Sequence, residues 1–260
     1  MLDFGIAGRK AIVCASSKGL GFGCAEALAK VGVNLVMCAR TQETLEEAAD
    51  VIRRKYDASV ETVACDITTD AGRDAVMAAA GHVDILVNNA GGPPPGDFRD
   101  WSREDWIKAL DANMLTAIDL IKRVIDPMIN QKFGRIVNIT SGSVKSPIPQ
   151  LGMSNGARAG LTGFVAGTSR QVAKHNVTIN NLLPGPFNTD RIESLIENTA
   201  KAESKTPAQI RDRMEQSNPA GRLGEIHEFG AACAWMCSAQ AGYLVGQNIL
   251  LDGGGFNSTF

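Results

Sequence analysis

Tyrosine is almost missing from these 260 residues: Tyr56 and Tyr243 are the two copies, and aromatic residues together make up 5%. Other scarcities exclude whole classes of function. There is no basic excess, since 26 Lys and Arg against 28 Asp and Glu leave a formal net charge of -2, far from what a chain that grips nucleic acid through phosphate contacts alone requires. No apolar run approaches the roughly 18 to 20 residues of a membrane-spanning helix. The opening MLDFGIAGRK carries an acid where a secretory leader is basic, so the chain reads as cytoplasmic, with no membrane or nucleic-acid partner. The six cysteines (Cys14, Cys24, Cys38, Cys65, Cys233, Cys237) form no CxxC pair, and no histidine is spaced to complete a zinc site, so no metal is expected. They read as reduced core residues, with Cys233 and Cys237, four apart on one helix, leaving a redox role open. His82, His175 and His227 lie in turn-like or polar surroundings and read as solvated surface.

What is present is enough to fold. A content of 44% hydrophobic and 21% charged residues supports one large core, or two small ones, without disulfides or metals. Short apolar runs at 11–15, 35–38, 60–64, 85–87, 136–139, 179–183 and 249–251 each predict a buried strand. Helical periodicity fills most of the intervals. From Thr41 onward, Leu45, Ala48, Ala49, Ile52 and Tyr56 make one apolar stripe. Ser102 with Asp105 three residues later is a capping-box pattern, and it predicts a helix continuing through Trp106, Leu110, Met114, Ala117, Ile118 and Ile121. Alternating strands and helices require a parallel sheet covered on both faces. The expected fold is therefore a Rossmann-like, doubly wound α/β sheet of about seven strands, in a single domain over 1–260. One stretch, 187–223, leaves the alternation, with short helices expected at 191–200 and 207–216. Long excursions in compact domains usually serve function, and this one is a candidate substrate lid within the domain.

After the first strand comes CASSKGLGFG, in which Gly19 and Gly21 precede a helix that stops at Gly32. Glycines there let the backbone approach a pyrophosphate, whose charge meets free N–H groups and the positive end of the helix. A merely tight turn explains the same residues equally well on this motif alone.

Company decides it. The run from Cys14 through Ala15, Ser16, Ser17, Lys18, Gly19 and Leu20 to Gly21, followed by Asn88-Asn89-Ala90-Gly91 after the fourth strand and Pro184-Gly185 after the sixth, resembles the short-chain dehydrogenase/reductase family over nearly the whole chain. GRLGEIHEFG and GQNILLDGGG resemble the family's closing helix and last strand. The resemblance implies cofactor contacts from Ser16, Ser17, Lys18, Gly19, Leu20 and Gly21, from Asp66 and Ile67 at the adenine, from Asn89, Ala90 and Gly91, and from Pro184, Gly185 and Thr189 near the nicotinamide. Ala15 departs from the family pattern where a glycine usually stands. No acid ends the second strand, which would accept both ribose hydroxyls of NAD(H). Arg40 is there instead, and with Lys18 it is placed to pair a 2'-phosphate, which favours NADP(H) over NAD(H). The competing reading makes both cations solvated surface charges.

The catalytic part departs further. Asn113 and Ser141 fit the family's Asn and Ser, and Ser154 lies thirteen residues beyond Ser141, the usual gap to the family's tyrosine. The helix reads SNGARAGLTGFV, so Ser154 falls at the tyrosine and Arg158 at the lysine; no shift of register restores a tyrosine. Serine is a far weaker acid than phenol, and a guanidinium stays protonated, although Arg158 still supplies charge and donors for cofactor ribose hydroxyls. A water held by Ser141, Ser154 and Asn113, or a buried Lys145, are candidate proton donors. Phe98, Trp101 and Trp106 either line a pocket or pack as core and subunit contact. The implied activity is hydride transfer between NADP(H) and a small carbonyl or alcohol substrate, in a homo-oligomer, commonly a tetramer. The alternative is an NADP(H)-binding protein without turnover, a redox sensor or structural subunit.

Overall fold

Residues Ala11 and Val13 turn to one face of a sheet and Ile12 and Cys14 to the other, all essentially inaccessible to solvent, because a strand's side chains alternate and this strand is covered on both sides. The computed structural model describes residues 3–259. Its strands are β1 (Lys10–Cys14), β2 (Asn34–Ala39), β3 (Val60–Ala64), β4 (Ile85–Asn88), β5 (Gly134–Ile139), β6 (Val177–Pro184) and β7 (Asn248–Leu251). They form one seven-stranded parallel sheet in the order β3-β2-β1-β4-β5-β6-β7. The fold is the expected Rossmann-like α/β sheet. Its order reverses between β1 and β4, and ligands of open parallel sheets bind beyond the strand ends at such a switch.

The helices are α1 (Gly19–Lys30), α2 (Gln42–Lys55), α3 (Asp70–Ala80), α4 (Arg103–Leu110), α5 (Thr116–Asn130), α6 (Gly152–Val172), α7 (Asp190–Glu203), α8 (Pro207–Gln216) and α9 (Ile226–Met236). On one face, Leu28 of α1, Leu45 and Ile52 of α2 and Phe229 of α9 close over Val13, Leu35 and Met37. On the other, Val76 of α3, Leu120 and Val124 of α5 and Leu161 and Val165 of α6 close over Ile12, Val36 and Ile136. Burying each such side chain contributes about 1.5–3 kcal/mol, which makes these two layers the main stabilising term. Cys233 and Cys237 belong to the first layer; mutual hydrogen bonding and burial push the Cys237 thiol up, and the buried Cys233 thiol is raised as well. Neutral thiols of this kind are poor nucleophiles.

Two expectations need correction. The helix beginning at Ser102 has its capping box, with the Ser102 Oγ accepting from Asp105 N at 3.2 Å and the Asp105 carboxylate accepting from Ser102 N at 3.0 Å. It does not run on as one regular helix, however, because Asp111–Leu115 forms a π turn between α4 and α5. The extra residue breaks the period on which the sequence pattern rests, and it turns Asn113 into the sheet's ligand-binding edge. The first strand also ends one residue early: Ala15 has φ +48°, a left-handed conformation that removes it from β1.

Candidate functional site

The first loop after β1 leaves the start of a helix open. Lys18 occupies the N-cap position of α1 without a side-chain cap, so no side chain answers the helix's first amides, and a bound phosphate fits that requirement. Gly21 is needed because a Cβ there would collide with the Ala15 carbonyl, and Gly19 because its φ is +58°. Asn89 Nδ2 donates to the Ala15 carbonyl at 3.3 Å, which ties the β4 loop to this turn. Ser16 is buried and its hydroxyl donates inward to Val13 O at 2.8 Å, leaving Ser17 and Lys18 at the rim with Leu20 half-buried behind them.

At the outer end, Arg40 is exposed beyond β2. Asp66 accepts from the Thr68 amide at 3.0 Å and hydroxyl at 2.8 Å; these bonds, with a smaller contribution from the Arg40 charge, hold its carboxyl below the usual range. Ile67 beside it is buried. Among the described residues Arg40 makes no ion pair, and Asp66 is the acid that feels its charge. Lys18, expected to join it, turns to Asp190 instead, with Nζ 2.7 Å from Oδ2 and both side chains exposed. The Thr189 methyl lies against Gly19, so the start of α7 reaches across to the glycine turn, while Gly185 N donates to Leu251 O at 2.7 Å and holds the Pro184-Gly185 loop to β7.

Of the four candidate catalytic residues, Arg158 is hydrogen-bonded to Ser154 and lines one cavity with Asn113, while Ser141 follows the end of β5. Arg158, 7% exposed, donates from Nη1 to Ile139 O at 2.8 Å and from Nε to Ser154 Oγ at 3.3 Å, and its Nη2 faces Ala90 O at 3.5 Å. Ser154 and Asn113 are also buried, and Ser141 Oγ accepts from Ser143 N at 3.1 Å. Burial, with the nearby Arg191 charge, pushes the Arg158 guanidinium down to about 10, which still leaves it protonated at neutral pH. Below it runs a cavity lined by Cys14, Asn88, Asn113, Thr116, Asn138 and Arg158. Asn88 Oδ1, Asn113 Oδ1 and Thr116 Oγ1 are buried there without a hydrogen-bond partner, a demand that water meets in polar cavities.

The other candidates make contacts of their own. Trp101 and Trp106 meet edge to face with centroids 6.0 Å apart and pack on Gly152 and Gly156 of α6, where they fix the helix that carries Ser154 and Arg158; Phe98 is exposed. Lys145 is half-buried over the Phe256 ring at 5.6 Å. Tyr56 donates to Glu26 at 3.3 Å after α2, and Tyr243 is fully exposed ahead of β7. Arg191, absent from the sequence reading, presses its guanidinium on Gly92, where a Cβ would fall 2.5 Å from Nη1. A signal for it existed, since a cation in the first turn of a helix faces the positive end of the helix dipole and ordinarily avoids it.

A parallel sheet with an anion-binding turn at its switch point defines a Rossmann-type nucleotide-binding protein. Residues 14–255 match the family model described as enoyl-(acyl carrier protein) reductase. The chain belongs to the short-chain dehydrogenase/reductase family. It is 31% identical over 255 residues to the NADPH-dependent reductase BacG of Bacillus subtilis, covering 96% of this chain and 98% of that protein. It is 32% identical over 253 residues to the acetoacetyl-CoA reductase of Cupriavidus necator, covering 95% and 97%. The solved structure of L-sorbose reductase from Gluconobacter frateurii with NADPH and L-sorbose superposes with a TM-score of 0.93 at 28% identity, over 99% of this chain and 100% of that one.

Proposed function

We propose that the chain is an NADPH-dependent reductase of carbonyl compounds, working in reverse on alcohols, in which Ser154 and Arg158 stand at the positions the family commonly gives to tyrosine and lysine. The cofactor assignment draws support from the NADPH-dependent relatives, from the uncapped start of α1 and from the exposed Arg40 at the end of β2. Ser17, Lys18, Gly19, Leu20 and Gly21 would hold the pyrophosphate, Asp66 and Ile67 the adenine, and Asn89, Ala90, Gly91, Pro184, Gly185 and Thr189 the nicotinamide half. Bound NADPH supplies hydride chemistry; the protein supplies orientation and charge.

The observation that carries the reading is the buried guanidinium of Arg158, fixed by Ile139 O and touching Ser154 Oγ. A preorganised cation at the site where a carbonyl oxygen gains negative charge stabilises that charge, with the Ser141 and Ser154 hydroxyls as further donors. Arg158 is placed for a cofactor ribose as well, since Nη2 faces the Ala90 loop. A water seated between Asn113, Asn88 and Thr116, whose unpartnered oxygens provide the seat, gives its proton to the product oxygen, and the hydroxide left behind takes a proton from bulk solvent. Without a phenol the acid step loses on the order of 10²- to 10⁴-fold, which slows the reaction without ending it. The segment 187–223 acts as the lid of a single domain; Ile196, Ala200 and Ile210 give α7 and α8 a small core of their own. The protein works in the cytoplasm as a homo-oligomer, a tetramer in the family's usual manner, and Ile107 and Leu115, nearly half exposed, offer apolar contact surface for it.

The test is NADPH oxidation over a panel of aldehydes and ketones with wild type and Arg158→Met, with NADPH affinity measured in parallel. A fall in kcat of roughly 10²- to 10³-fold is expected, the usual cost of losing a charge-stabilising donor. No turnover by the wild type with any carbonyl, at full NADPH occupancy, would instead favour a cofactor-binding sensor or structural subunit.

A further inference from the structure

Two guanidinium groups bracket the loop after β4. Arg158 reaches the Ala90 carbonyl from inside, and Arg191 lies against Gly92 from the α7 side, with the would-be Cβ position 2.5 and 2.9 Å from its two terminal nitrogens. They are close enough for the Arg191 charge to weigh on Arg158. Among the described residues neither has an ion pair. Of the acids near the rim, Asp190 is taken by Lys18 at 2.7 Å, and Asp252 accepts the amides of Gly254 at 3.0 Å and Phe256 at 2.7 Å. Arg191 also stands in the first turn of α7, where the helix's own dipole opposes it, and the turn's other acid, Glu193, is paired with Arg211. Arg191 is exposed to solvent, and no acid among the described residues pairs with it or with Arg158, so an anion entering from outside meets two uncompensated cations. Guanidinium binds a carboxylate through two parallel hydrogen bonds, a geometry that fixes orientation as well as charge.

We propose that Arg191, with Arg158 behind it, selects a substrate that carries a carboxylate on the carbonyl compound, an oxo acid. The inference rests on the reductase reading and narrows its substrate class. Phosphate of the cofactor is the other source of negative charge within the site, and the experiment separates the two.

Oxo acids of four to six carbons and their methyl esters are compared as substrates of wild type and Arg191→Gln, with NADPH affinity measured by calorimetry. The wild type is expected to prefer the acids, and Arg191→Gln to shrink the acid-to-ester ratio of kcat/KM at least tenfold, mainly through KM. An equal loss on acid and ester overturns the proposal, as does a matching loss of NADPH affinity, which would assign Arg191 to the cofactor. If neither class is turned over, titration of the same oxo acids into the NADP⁺-loaded protein decides without catalysis. Saturable binding that disappears in Arg191→Gln then upholds the carboxylate site while the reductase reading falls; no binding, or equal binding by the variant, overturns it.

Discussion

The glycine turn after β1 and the reacting end of β5 and α6 lie on the same edge of one sheet, yet they are built by different means. At the turn the backbone does the work. Gly21 exists to let the Ala15 carbonyl pass, and α1 presents amides that no side chain caps. At the reacting end, side chains from α6, α7 and the π turn converge, and Arg158 is fixed by a carbonyl of β5. A backbone cradle tolerates few substitutions. A side-chain constellation can exchange a residue type and keep its position, and Ser154 with Arg158 is such an exchange in our reading.

The comparison breaks first at Gly21. Alanine there drives its Cβ into the Ala15 carbonyl, and we expect a loss of roughly 1–3 kcal/mol from overpacking together with loss of measurable NADPH binding. Thermal unfolding and calorimetry read the two effects; a variant with wild-type stability and affinity would refute the cradle. A smaller change sharpens the same contact from its other side. Ala15 holds φ +48°, so Ala15→Gly relieves a strain of about 1–2 kcal/mol, offset in part by glycine's greater chain entropy, and should raise stability by up to about 1 kcal/mol. Destabilisation by that substitution would show that the Ala15 methyl is instead a needed contact.

Legibility follows the same division. Strand runs such as 35–38 and 85–87 announced their layers because burial on both faces leaves an unbroken apolar signal; the structure lengthens the first by one residue at each end and the second by one residue at its C-terminal end. The glycine turn was readable since its spacing is local. Arg191 was readable only as a cation in a helix's first turn, because its neighbours, Gly92 and Arg158, are distant in sequence and meet it only when α7 folds across the site. The π turn at Asp111–Leu115 escaped for another reason: one extra residue leaves a helical pattern looking continuous. Lys18 was readable as a cation and not as the partner of Asp190, 172 positions away.

The most direct measurement is a calorimetric titration of wild type and Arg40→Gln with NADPH and NADH under matched conditions. Wild type should bind NADPH at least tenfold more tightly, a gap of about 1.4 kcal/mol, and Arg40→Gln should close most of it. Equal affinity for the two cofactors, or binding of neither, would contradict this.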